Sequence, residues 1–274
     1  MARLLLIRHR DSLSQAGEKL ASYKSKRLSQ RHVPSLIADL SSNIRFRSVN
    51  PQGLKLVLLP GMDGSGSLFK DFIAALPEDF ETQVVCYPPE VNLFYADLAA
   101  FLMSTIAIQG SFVLIAESFS TPLAVQYAAK NPPNLRGVVL CSGFATSPVK
   151  GWRRDVYLSL SSLLFSITPP RFAIKHLLIG GDASPSSGRA VLSCDARDEL
   201  RRIVVPILLL QPKRDRFIGA ASSNEIYEIM PSAIVEQVDG PYLLLQKQPK
   251  QTAEIIANFC RIAGSGISFP KPPC

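Results

Sequence analysis

From residue 54 onward the chain alternates short, largely apolar runs with longer stretches whose apolar positions recur every three to four residues. A short apolar run bounded by turn residues reads as a strand buried on both faces, and the longer spacing reads as a helix with one buried stripe. The pattern predicts strands over 54–59, 82–87, 111–116, 135–141, 204–211 and 233–238. Between them it predicts helices over 68–76, over 92–108, from near Phe119, over 222–230 and over 250–262. Residues 44–49 alternate as a further strand, and Asn50-Pro51-Gln52-Gly53 supplies turn chemistry after it. Strands that are mainly apolar and separated by helices imply an α/β fold, a mostly parallel sheet flanked by helices.

Residues 145–200 interrupt this alternation with an apolar run over 156–167, a Pro169-Pro170 stop and a glycine- and serine-rich stretch over 179–188. An insertion after a strand's carboxyl end overhangs the edge where such sheets bind ligands, so the segment reads as a short cap. The run 156–167, with Trp152 and Tyr157 nearby, fits core packing; lining an acyl pocket or touching a lipid surface are the alternatives. The chain then divides into an extension over 1–43, a core over 44–144 and 201–265, the cap over 145–200 and a tail over 266–274.

Composition narrows the picture. With 47% hydrophobic residues in 274, the chain can bury a large core, which excludes intrinsic disorder. No stretch reaches the roughly 18 consecutive apolar residues that span a bilayer, so no transmembrane segment is expected. The five cysteines are odd in number and show neither CxxC nor metal-ligand spacing, and so read as reduced thiols of the cytoplasm. The net charge of +8 sits almost wholly in residues 1–53, which hold ten Lys and Arg against three acids. That basic end carries only two aromatics, Tyr23 and Phe46, among its ten Lys and Arg, too few for a stacking surface, which argues against nucleic acid as a partner. It reads as a solvated extension, with an organelle-targeting segment as the alternative; its apolar run, Leu4 to Ile7, falls short of the roughly 7–15 residues of a secretory core.

The candidate chemistry lies at strand ends. Strand 111–116 runs into Glu117-Ser118-Phe119-Ser120 and then a helix, which puts Ser118 on a strand-to-helix turn. Ala116-x-Ser118-x-Ser120 is a relaxed G-x-S-x-G nucleophile elbow, whose flanks must be small because strand and helix crowd there. The helix amino terminus directs N–H groups toward an anion, and the Phe119 N–H is the expected oxyanion donor. Strand 54–59 ends in Pro60-Gly61-Met62-Asp63-Gly64-Ser65-Gly66, where the second donor of such enzymes is found; the Met62 N–H is the candidate, and Asp63 reads as a cap. Asp215 follows strand 204–211, where a triad carboxylate would orient a histidine; a surface ion pair with Arg214 or Arg216 is the alternative.

From about Leu54 to Cys260 the sequence resembles the α/β-hydrolase superfamily, in particular small bacterial serine hydrolases of the esterase and lysophospholipase-like kind. The resemblance rests on Leu58-Leu59-Pro60-Gly61-Met62-Asp63-Gly64, Ala116-Glu117-Ser118-Phe119-Ser120, Leu135-Arg136-Gly137-Val138-Val139-Leu140, and Pro206-Ile207-Leu208-Leu209-Leu210 followed by Asp215. It implies an α/β-hydrolase fold and hydrolysis of a small acyl ester or lipid-like substrate through a Ser118 acyl-enzyme, with no metal or organic cofactor.

One position departs from the family pattern. The resemblance expects the third triad member, a histidine, in Asp239-Gly240-Pro241-Tyr242-Leu243-Leu244-Leu245, and Tyr242 stands there. The only histidines are His9, His32 and His176, so none follows Asp215. Histidine titrates at about 6.5 and tyrosine at about 10, so a phenol is a poor general base at neutral pH. Three readings follow: a hydrolase with lost or low activity, His176 reaching down from the cap as base, or a different use of Tyr242 or a lysine. Lys247 and Lys250 are the nearby lysines, expected on a solvent-facing helix. A non-catalytic protein binding an apolar ligand or partner is the alternative to an enzyme.

Overall fold

The structure is a computed structural model that describes residues 53–88, 95–106, 110–150, 190–215 and 217–265. The expected strand over 44–49, the run 156–167, the extension, the tail and all three histidines lie outside the described residues.

Six strands form one parallel sheet. They are β1 (Lys55–Leu59), β2 (Glu81–Val84), β3 (Phe112–Glu117), β4 (Leu135–Cys141), β5 (Ile207–Arg214) and β6 (Ile234–Pro241), in the order β2-β1-β3-β4-β5-β6. Seven helices accompany them among the described residues: α1 (Lys70–Ala75), α2 (Tyr95–Thr105), α3 (Thr121–Ala128), α4 (Arg197–Arg201), α5 (Ala220–Ile229), α6 (Leu244–Lys247) and α7 (Pro249–Gly264). Two 3-10 turns, Ser67–Phe69 and Ser118–Ser120, precede α1 and α3.

The continuous apolar runs are explained by coverage on both faces. Val57, Leu59, Leu114, Ala116, Val138, Leu140 and Leu209 join one core cluster with residues of α2, α3, α4 and α5. Their alternate neighbours Leu56, Leu58, Val113, Ile115, Val139, Leu208 and Leu210 join a second with α1, α6 and α7. Successive strand side chains point to opposite faces, so a strand buried on both must be apolar at every position.

Where the elements differ from expectation, the cause is local. The fifth strand begins at Ile207 because Pro206 has no N–H to donate and Val204 is exposed. Helix α4 went unpredicted because its five residues, RDELR, bury only Leu200 and show no apolar period. Helix α6, four residues long, is too short to show one. The two ends of segment 145–200 are joined to each other: Ala196 donates its N–H to Ala145 O at 2.8 Å, Ser147 to Cys194 O at 3.1 Å, and Thr146 bridges to Asp195. Ala145, Ala190, Cys194 and Ala196 pack into the first core cluster.

The topology also points to a site. From β1 the chain steps outward to β2, then returns past β1 to β3, so the direction of winding reverses between β1 and β3. Helices leaving opposite ways open a crevice at the strands' carboxyl ends, where open α/β sheets bind ligands. Leu59 pairs with Ala116 there, which sets residues 60–66 and Ser118 side by side.

Candidate active site

At the end of β3 the backbone turns sharply. Glu117 is extended (φ −104°, ψ 129°), Ser118 is left-handed (φ +50°) and Thr121 is helical (φ −63°). The left-handed conformation costs a residue with a Cβ about 1–2 kcal/mol, so the surroundings must enforce it. Several groups do. The Thr121 hydroxyl accepts the Phe144 N–H at 3.0 Å and lies 2.7 Å from Ser118 O. The Ser120 hydroxyl donates to Pro60 O and is hydrogen-bonded to the Tyr87 hydroxyl, tying the elbow to the loop after β1. Tyr95 donates to Phe119 O at 3.0 Å and stacks on the Phe119 ring at 5.1 Å. Against Thr121 lies Gly143, where an added Cβ would sit 2.6 Å from the Thr121 Cγ2, so only glycine fits.

The loop after β1 forms a turn in which Gly64 donates to Gly61 O at 3.2 Å, and Tyr87 donates to Gly64 O at 2.8 Å. Met62 sits inside that turn, half-buried against the core. Asp63 accepts the Ser65 N–H at 3.3 Å and the Ser65 hydroxyl at 2.8 Å and so holds the loop; it is not the helix cap expected, because the 3-10 turn at Ser67 starts from Gly66 with no side-chain cap. Among the described residues, the Met62 N–H donates to no backbone acceptor.

Position 242 follows β6 and is held from β4. Ser142, itself left-handed at φ +49°, donates its hydroxyl to Tyr242 O at 2.5 Å, and the Leu244 N–H donates to the same oxygen at 3.0 Å. The Tyr242 hydroxyl is hydrogen-bonded to the Ser118 hydroxyl, and both residues are buried. Burial pushes the phenol well above its ordinary pKa, and the Glu117 and Asp215 carboxyls add to the rise. It can therefore donate a proton but holds it too tightly to act as a base near neutrality.

Asp215 stands just past β5. Its Oδ1 accepts the Phe217 N–H at 2.8 Å and the Ile218 N–H at 3.0 Å. Among the described residues no hydrogen bond joins it to Tyr242; it acts on the phenol by charge, and the Phe217 ring lies 5.2 Å from the Tyr242 ring. Lys247 and Lys250 are exposed. Thus Ser118 and Tyr242 meet directly, with Asp215 a charged neighbour behind the phenol.

Sequence reasoning missed the supports. Ser120 was legible as a small flank but not as the hydroxyl linking Pro60 and Tyr87. Thr121 and Ser142 carry no spacing signal, because their partners lie 23 and 100 residues away. Glu117, within the elbow motif, is a buried carboxyl bonded to Gln246. Among the described residues no group of three or more His, Cys, Asp or Glu is placed to hold a metal ion, and no helix is long and apolar enough to cross a membrane.

No protein-family model matches the chain, and no curated protein matches it in sequence. Solved structures match its shape. A lipase-esterase related protein from Clostridium acetobutylicum aligns with a TM-score of 0.60 at 20% identity, covering 77% of this chain and 96% of that one. A carboxylesterase structure from the thaumarchaeon Nitrososphaera gargenis gives 0.62 at 14% identity, covering 79% and 93%. The enol-lactonase of Burkholderia xenovorans gives 0.58 at 18% identity, covering 76% and 91%.

Proposed function

We propose that this chain, which has the α/β-hydrolase fold, is a serine hydrolase for a carboxylic ester or acyl lipid, with turnover impaired because Tyr242 stands where the base belongs. The observation that carries the reading is the pairing of Ser118, at a left-handed elbow, with the Tyr242 hydroxyl. Esterase, lipase and lactonase are names that several of its structural neighbours bear, beside a bromoperoxidase, and each of the three denotes cleavage of an acyl–oxygen bond.

In this reading the Ser118 oxygen adds to the substrate carbonyl, whose oxygen becomes an oxyanion facing the Phe119 and Met62 N–H groups. The intermediate collapses, expels the alcohol and leaves an acyl-serine, which water then hydrolyses to the acid. Both additions need a base to take a proton, and that is the step a buried phenol serves poorly. Preorganised N–H donors alone still retain roughly 10³–10⁴-fold catalysis over water, so slow turnover is expected.

The tight Ser118–Tyr242 pairing also favours a second reading, a protein that binds an apolar ligand or partner in the same crevice without chemistry. Reaction with a fluorophosphonate separates the two. The hydrolase reading expects slow, stoichiometric modification that maps to Ser118 and vanishes in Ser118→Ala. Modification as fast as that of a complete triad would show that another base is present, and none after prolonged exposure would favour the binding protein.

A further inference from the structure

The residue immediately before the elbow serine is buried and only half-satisfied. Glu117 is 2% exposed, and its Oε2 accepts the Gln246 Nε2–H at 2.9 Å. Its other oxygen, Oε1, is buried with no hydrogen-bond partner among the described residues, and so is Gln246 Oε1. The charged and titratable groups that bear on this site come from three directions. Asp63 lies on the loop after β1, Cys141 at the end of β4, and Tyr242 ahead of α6. An added Cβ at Gly61 would lie 3.6 Å from Asp63 Oδ1 and 4.0 Å from Glu117 Oε2, so the two carboxyls flank one point of that loop. Among the described residues no cation is among the groups acting on Glu117.

An ionised carboxylate here would leave a buried negative charge unpaired and two buried acceptors without donors, each a costly arrangement. When a carboxamide N–H meets one carboxyl oxygen edge to edge, its carbonyl runs alongside the other, and a single hydrogen on that other oxygen satisfies both. We infer that Glu117 folds as the neutral acid, donating from Oε1 to Gln246 Oε1 while accepting from Gln246 Nε2, and that this closed acid–amide pair is a pH-sensitive clip. It joins the residue before Ser118 to α6, the helix that follows position 242, and so acts as a positioning pair beneath the site. The step is uptake of one proton from solvent on folding, with nothing else exchanged. The inference goes beyond the hydrolase reading and stands whether or not Ser118 turns over.

Electrostatics agree with the geometry. Burial, with Asp63 adding, outweighs the Gln246 hydrogen bond and raises the Glu117 pKa to about 7. The folded chain therefore holds this proton more tightly than the unfolded one. The clip's contribution to stability is fully present below the unfolded pKa near 4.5 and is lost as pH rises through about 7.

Infrared spectroscopy of the full chain between about pH 5.5 and 8.5, a range bracketing the folded pKa, tests this directly. At the acid end, wild type minus Glu117→Gln should show the carbonyl stretch of a hydrogen-bonded, protonated carboxyl, shifted in heavy water, which fades as pH rises through about 7. Glu117→Gln, whose amide reproduces the donor and acceptor of the neutral acid, should melt at a midpoint less sensitive to pH. Above pH 8 it should melt higher than wild type by about 5 °C or more. Gln246→Met should leave the band present but move it toward that of an acid without a partner. A spectrum in which Glu117 is ionised at the acid end overturns the inference, since water or a bound cation would then serve the two oxygens. Parallel melting of wild type and Glu117→Gln across the range does the same. None of these readouts involves Ser118 chemistry, so failure of the hydrolase reading leaves them intact.

Discussion

Replacing Tyr242 with histidine tests the proposed chemistry most sharply. The backbone at this position is set independently of its side chain, because Tyr242 O is held by the Ser142 hydroxyl at 2.5 Å and the Leu244 N–H at 3.0 Å. An imidazole is shorter than the phenol, so it retracts from Ser118 and turns a ring nitrogen toward the serine hydroxyl. Asp215 spends Oδ1 on the Phe217 and Ile218 N–H groups, and among the described residues Oδ2 has no partner, which leaves it to receive the other ring N–H. The ordinary pKa values differ by about 3.5 units, so the imidazole is easier to keep as a free base by about 4.8 kcal/mol, a factor near 3,000 before the burial of the phenol is counted. Imperfect placement lowers what is realised, and a gain of at least ~10²-fold in kcat/KM is expected. The assay is hydrolysis of short acyl esters of a chromogenic phenol across pH. The variant's rate should rise with an apparent pKa near about 6.5, as its imidazole loses its proton. Adding Ser118→Ala must abolish the gain, and adding Asp215→Asn should remove most of it. If wild type already matches the variant, or if a stably folded Tyr242→His gains nothing, the assignment of position 242 is wrong.

Three further outcomes follow from the same contacts. Ser142→Ala removes a buried hydroxyl bonded to Tyr242 O, which keeps the Leu244 N–H, and should cost about 0.5–1.5 kcal/mol in urea unfolding, with a larger loss of ester hydrolysis in the Tyr242→His background. Gly143→Ala drives a methyl to within 2.6 Å of Thr121 Cγ2. Overpacking of that kind costs about 1–3 kcal/mol, and Thr121→Ser, which deletes that methyl but keeps the hydroxyl, should restore part of the lost melting temperature; no rescue would mean the backbone rather than the methyl is at fault. The Glu117 shift from 4.5 to about 7 amounts to about 3 kcal/mol of stability lost between those pH values, read as the difference between wild-type and Glu117→Gln unfolding free energies.

What the chain of letters determined by itself is the layering. Unbroken apolar runs at 56–59, 112–116 and 137–141 leave no polar side chain to face water, so each must be a strand covered on both faces, and the structure puts β1, β3 and β4 there. The small flanks of Ser118 and the glycine-rich loop after β1 were likewise legible, because steric demands at a tight corner act on residues close together in sequence. Only the tertiary structure decided what holds Ser118 in its left-handed corner and what touches its hydroxyl. Ser120 reaches Pro60, Ser142 reaches Tyr242, and Glu117 reaches Gln246 across 60, 100 and 129 residues. Hydrogen bonds of that kind leave no periodic trace in a sequence. They arise where strand ends converge, and whether a carboxyl there keeps its proton depends on how much water and how many charges the assembled fold leaves around it.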